Sequence, residues 1–254
     1  GTLSQFDKNS LVKYFRGVYL TKAKDIISSY LIHKGISVLE INAYLDEIST
    51  ASRLCNAVNT ITFKDGKYYG TITDGIGFTR SLEEQGWLIK DKKITMVGAG
   101  GASTAIMVQL ALDGVKEIIV YNRTMRTEFQ EIINNTIIET GCTITLKSLS
   151  DLESLKKDMH SSYLFINTTG VGMEPMLERS VVPDASYFKP DLKVADIIYQ
   201  PTVTKMLRLA KEAGCATMNG ELMLLYQGVE SFKIWTGQEM PINEVKKVLG
   251  IEVK

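Results

Sequence analysis

"KITMVGAGGASTAIMVQLALDG", Lys93 to Gly114, is the stretch that decides the fold. Its opening is β-prone and apolar, its middle is glycine-rich, and its remainder has helical spacing with a stop at Gly114. The pattern is a strand, a tight turn and a helix. Gly98 permits the turn, and Gly100 leaves room for a pyrophosphate close to the backbone. Ser103, in the third small position, still lets helix and strand approach. The start of the helix offers free N–H groups and partial positive charge to phosphates. Gly98, Ala99, Gly100, Gly101 and Ala102 are therefore expected to line a dinucleotide site.

Downstream, strand and helix patterns alternate: "EIIVYN", "RTEFQEIINNTIIETG", "CTITLKSL", "SDLESLKKDM", "SYLFINTT", "LKVADIIY", "TKMLRLAKEAG" and "ATMN". Such alternation predicts right-handed β-α-β units on a parallel sheet, an α/β fold of the Rossmann-like kind. The end of the second strand chooses the cofactor. NAD-binding folds place Asp or Glu there for the ribose hydroxyls. This chain has "YNRTMR", with Asn122, Arg123, Thr124 and Arg126. Two guanidiniums and a hydroxyl suit a 2′-phosphate, so NADP is the expected cofactor. Glu128 is near enough to leave NAD use open as well.

Composition removes several function classes. Lys plus Arg is 29 and Asp plus Glu is 29, so no net field favours nucleic acid or a membrane surface. No apolar run reaches the roughly 18–20 residues of a membrane span, and no secretory signal is visible. Cys55, Cys142 and Cys215 are scattered, which reads as reduced thiols in a cytoplasmic protein. With two histidines, a His-rich metal site is not expected.

Before Leu82 the pattern changes. "NAVNTITFKDGKYYGTITDGIGF", Asn56 to Phe78, reads as a hairpin about the Asp65-Gly66 turn. Asn59, Thr60, Thr73 and Asp74 sit at its base, where a plain hairpin has no need of them. Asp74 is read as a strand end beside Gly75. Two lobes follow: residues 1–82 for substrate and catalysis, and 83–220 for the dinucleotide. Glu221 to Trp235 is a long helical pattern, apolar on most faces, and residues 221–254 are expected to pack back on the first lobe. Its Gln227 is out of place, because burying an unpaired amide costs about 1–3 kcal/mol.

Taken together, "NAVNT", "TDGIGF", "VGAGGAS", "NRT", "INTTGVGM", "DIIYQPTVTKML" and "LMLLYQGVESFKIWTG" resemble the shikimate dehydrogenase family in order and spacing. The likeness runs from about Asp46 to Pro241 and leans toward the quinate/shikimate branch. It implies reversible NAD(P)-dependent oxidation of a ring hydroxyl on shikimate or quinate, by a monomer or homodimer. It places Asn59, Asp74, Gln227 and Tyr199 on the substrate. It places Asn167, Thr168, Gly172, Gly220 and Met223 on the nicotinamide side, although Met223 reads equally as core.

The family's Ser-x-Ser and N-V-T-x-P-x-K motifs are not intact in the first 55 residues. In "GVYLTKAKDII", Thr21 stands for the family threonine and Lys24 for its catalytic lysine, with Lys22 and Lys34 as rivals. The expectation is that N-terminal stretches are missing from this sequence. Two other readings remain. A dinucleotide-binding metabolite sensor would lack turnover, and a dehydrogenase of aminoshikimate or another cyclitol would differ only in its substrate pocket.

Overall fold

The computed structural model describes residues 45–252, and elements are numbered within that range. Six strands form one parallel sheet in the order β6-β5-β4-β7-β8-β9. They are β4 (Lys93–Val97), β5 (Glu117–Asn122), β6 (Thr143–Ser148), β7 (Leu164–Asn167), β8 (Lys193–Asp196) and β9 (Ala216–Met218). Helices α3 (Gly101–Leu112) and α4 (Thr127–Thr140) cover one face. Helices α5 (Leu152–Ser161) and α6 (Lys205–Glu212) cover the other.

Strand periodicity sorts the side chains between the two cores. Ile94, Met96, Ile118, Val120, Leu164 and Ile166 point to the α3 side, while Val97, Ile119, Tyr121 and Phe165 point to the other. Burial on both faces explains why these strands read as nearly continuous apolar runs. The strand order reverses between β4 and β7, which opens the crevice where ligands of such sheets bind.

The first lobe contributes a three-stranded sheet in the order β1-β3-β2. Its strands are β1 (Glu47–Ile48), β2 (Thr60–Lys64) and β3 (Lys67–Thr71), and α1 (Thr50–Cys55) lies between the first two. Asp65 and Gly66 have φ of 51° and 79°, so the expected turn is present. The second half of the quoted hairpin differs from its reading. β3 stops at Thr71, and Asp74 opens the helix α2 (Asp74–Glu84) rather than ending a strand. α2 continues through the expected lobe boundary to Glu84.

The two glycines of "DGIGF" explain α2. A Cβ on Gly75 would lie 2.5 Å from the Ala105 carbonyl oxygen of α3. One on Gly77 would lie 2.6 Å from the Gln227 nitrogen of α7 (Glu221–Thr236). Glycine, usually unfavourable inside a helix, here lets α2 wedge between two helix backbones. Phe78 and Leu82 then join the α3-side core. α7 packs along α2, and Trp235 donates its indole N–H to the Ile61 carbonyl at 3.0 Å. α8 (Ile242–Leu249) closes this end, where the buried Lys246 ammonium pairs with Glu84 at 2.6 Å. Among the described residues, no helix is long and apolar enough to cross a membrane.

Candidate active site

The glycine turn begins where β4 ends. Gly98 has φ +123°, and a Cβ there would overlap the Thr168 hydroxyl. Two constraints therefore select glycine. Ser103 donates to the Gly98 carbonyl at 2.5 Å and fastens α3 to the turn. Gly100 and Gly101 differ. A Cβ on either would meet nothing within 4 Å, so the protein's own packing does not require glycine there. α3 also starts without a side-chain cap, leaving its first N–H groups open. Open space above uncapped N–H groups fits a pyrophosphate.

At the end of β5, Asn122 closes the next turn by donating to the Thr124 carbonyl at 2.7 Å. Arg123, Thr124 and Arg126 are exposed, and neither guanidinium has a partner among the described residues. Arg126 stands at the start of α4, where the helix end adds to the positive field. These residues fit a 2′-phosphate.

On the β7 side, the residues expected near the nicotinamide also hold the fold together. Asn167 is buried and fully engaged. Its amide donates to Asp196 at 3.1 Å and to the Val171 carbonyl at 3.2 Å. Its oxygen accepts from the Thr169 N–H and hydroxyl at 3.1 and 2.7 Å. The side-chain amide is saturated, so it shapes the 168–172 loop. Thr168 likewise spends its hydroxyl on the Val97 carbonyl at 2.6 Å. Gly172, at φ +115°, packs against Thr204. Gly220 is glycine because a Cβ would overlap the Ile197 carbonyl. Met223 is 7% exposed and belongs to the core that includes Ala99.

The sequence reading passed over the hub of this region, Asp196. It is fully buried and accepts from Asn167, from the Ile198 N–H at 3.1 Å and from the Thr204 hydroxyl at 2.7 Å. Burial pushes its pKa up to about 6 despite those three donors. Its pull on Ile198 turns the chain out of β8 at Asp196. Tyr199, expected to close that strand, therefore lies in the following loop, half-exposed. The available signal was a lone acid inside an apolar strand.

The base of the hairpin gives the densest constellation. Asn59 donates to the Asp74 carboxylate at 2.6 Å. Its oxygen accepts from the Thr73 N–H at 3.1 Å, the Thr60 hydroxyl at 3.0 Å and the Thr73 hydroxyl at 3.3 Å. Those donors fix which way the amide faces and leave one Asn59 N–H for another acceptor. Burial raises the pKa of Asp74, while its own backbone N–H and Asn59 oppose the rise. Gly75 holds this pair against α3, so it stands beside the helix that leaves the glycine turn. Gln227 adjoins α2 at Gly77, and its amide has no partner among the described residues. Thr21 and Lys24, with Lys22 and Lys34, lie outside the described residues.

A dinucleotide turn at a sheet switch point, beside a polar pair suited to a hydroxylated ring, defines an NAD(P)-dependent oxidoreductase. Comparison with known proteins carries this further. Residues 81–197 match the family model for shikimate/quinate 5-dehydrogenase, and 220–249 match the shikimate 5′-dehydrogenase C-terminal domain. The chain is 45% identical over 213 residues to the shikimate dehydrogenase (NADP(+)) of Listeria innocua, covering 82% of this chain and 72% of that protein. Among solved structures it is similar to the Listeria monocytogenes shikimate 5-dehydrogenase in complex with shikimate and NAD. That match has a TM-score of 0.82 at 40% identity and covers 89% of this chain and 82% of the other. A second similar structure is a shikimate dehydrogenase in complex with NADP+, with a TM-score of 0.74 at 34% identity, covering 91% and 81%. The chain belongs to the shikimate dehydrogenase family.

Proposed function

We propose that this chain catalyses the reversible NADP-dependent oxidation of shikimate to 3-dehydroshikimate. The observation that carries the reading is the Asn59–Asp74 pair, oriented by Thr60 and Thr73 and held against the dinucleotide helix through Gly75. The activity and bound ligands of its relatives support the substrate and cofactor.

Oxidising a ring hydroxyl removes a hydride from carbon and a proton from oxygen. NADP, when bound, supplies the hydride acceptor. Gly98 to Ala102 give its pyrophosphate close backbone approach, and Arg123 and Arg126 take the 2′-phosphate. The remaining Asn59 N–H and the free Gln227 amide hold the ring hydroxyls, so that one carbon faces the nicotinamide. Tyr199, exposed in the loop after β8, is the further substrate contact in this reading. Asp74 accepts from the reacting region, and Lys24 takes the departing proton. Residues 1–82, together with the returning 221–254, serve the substrate; residues 83–220 serve the dinucleotide. Three free, buried and separate thiols support a cytoplasmic place for it.

Steady-state NADPH formation with shikimate and with quinate tests this. Turnover of shikimate is expected. Binding of NADPH without turnover of either acid would instead establish a metabolite sensor.

A further inference from the structure

We propose that Ser231 is a positioning residue for this reaction, its buried hydroxyl locking the Asn59–Asp74 pair to the helix that carries Gln227. The inference rests on the reading that these three residues hold the substrate.

Ser231 lies on α7, one turn beyond Gln227, and is 3% exposed. Its Oγ lies 2.8 Å from the Thr60 hydroxyl, 3.3 Å from the Thr73 hydroxyl and 3.0 Å from the Gln227 carbonyl oxygen. A hydroxyl has one proton and two lone pairs. Its proton serves the Gln227 carbonyl or the Thr60 hydroxyl, and given to Thr60 it completes a chain from Ser231 through Thr60 to Asn59 Oδ1. The Thr73 proton has two acceptors within reach, Asn59 Oδ1 and Ser231 Oγ. All three protons find acceptors, and no hydroxyl is orphaned.

The cluster admits one orientation of Asn59. Oδ1 must face the hydroxyls and the Thr73 N–H, which turns Nδ2 toward Asp74. A hydroxyl bonded back to its own helix contributes little by itself. Here the same hydroxyl also reaches across to the hairpin base, so it supplies direction rather than bulk. The same helix thereby sets the Gln227 amide and, through the threonines, the Asn59 amide. A substrate bridging them feels any slip between α7 and the hairpin.

Ser231→Ala and Thr73→Val in the full chain test this. Alanine suits a helix, and valine keeps the threonine shape. For Ser231→Ala, kcat/KM for shikimate should fall about 5- to 12-fold, which is about 1–1.5 kcal/mol at 1.4 kcal/mol per tenfold. The Michaelis constant for NADP should stay within about twofold. The double variant should be little worse than the worse single one, because both act through one chain of hydroxyls. Unchanged shikimate kinetics, an equal loss for NADP, or fully additive effects would each overturn the assignment. A wild-type protein that binds NADPH but oxidises no shikimate would instead overturn the functional reading beneath it.

Discussion

Replacing Asp74 with asparagine should separate catalysis from folding. The carboxylate is half-buried, and burial raises its pKa above the ordinary 3.8. Between 3.8 and that raised value the folded chain holds more protons than the unfolded chain. This group's contribution to stability therefore declines as pH rises through the window, and above it the charge is a net cost. Asparagine keeps the shape and an oxygen that can accept the Asn59 N–H, now 2.6 Å from the carboxylate. Removing the charge also forfeits about 0.3–1 kcal/mol with the α2 dipole. The two effects oppose each other, so the melting temperature should stay within about 5 °C of wild type. Activity has no such offset. A charge-assisted hydrogen bond contributes about 1.5–3 kcal/mol against about 0.5–1.5 for a neutral one, which alone approaches tenfold. Loss of a carboxylate supporting proton transfer adds more, so kcat should fall by a factor on the order of 10² or beyond. Melting by circular dichroism and NADPH formation by absorbance read the two halves. A folded Asp74→Asn protein with near wild-type kcat would remove Asp74 from the mechanism.

Arg123→Ala should raise the Michaelis constant for NADP by roughly 10- to 100-fold and leave NAD unchanged; equal rises would refute the 2′-phosphate assignment. Gly100→Ala should leave the fold intact, since its φ of −89° suits any residue and its Cβ would meet no protein atom. It should nevertheless weaken NADP more than about tenfold, and wild-type affinity would move the pyrophosphate elsewhere. Gln227→Ala should weaken shikimate by about 1–3 kcal/mol and spare NADP, as measured by the separate Michaelis constants. Asp196, raised to about 6 from 3.8, makes wild-type stability fall as pH rises across that interval, by on the order of 3 kcal/mol. Asp196→Asn should remove that fall, so that the pH profiles of wild-type and variant stability diverge across the interval, and parallel profiles would refute the buried-charge reading.

The sequence alone determined the nucleotide half of this protein. Strand, glycine turn and helix from Lys93 to Gly114 are local signals, set by apolar periodicity and by glycine's freedom at Gly98, and the sheet follows from their repetition. The exposed place of Arg123 and Arg126 just after β5 was legible for the same reason. The tertiary structure alone decided how the polar residues divide between scaffold and site. The four bonding capacities of Asn167 are filled by Thr169, Val171 and Asp196, a scaffold role with no local signal. Asp74 read as a strand end because Gly75 and Gly77 disfavour helix locally. Only the close backbones of α3 and α7 make glycine stabilising there. Ser231 meets Thr60 and Thr73 across more than 150 residues of chain, a contact with no local signal. Periodicity reports what a residue does to its own element; a hydrogen bond between distant elements exists only once the fold has brought them together.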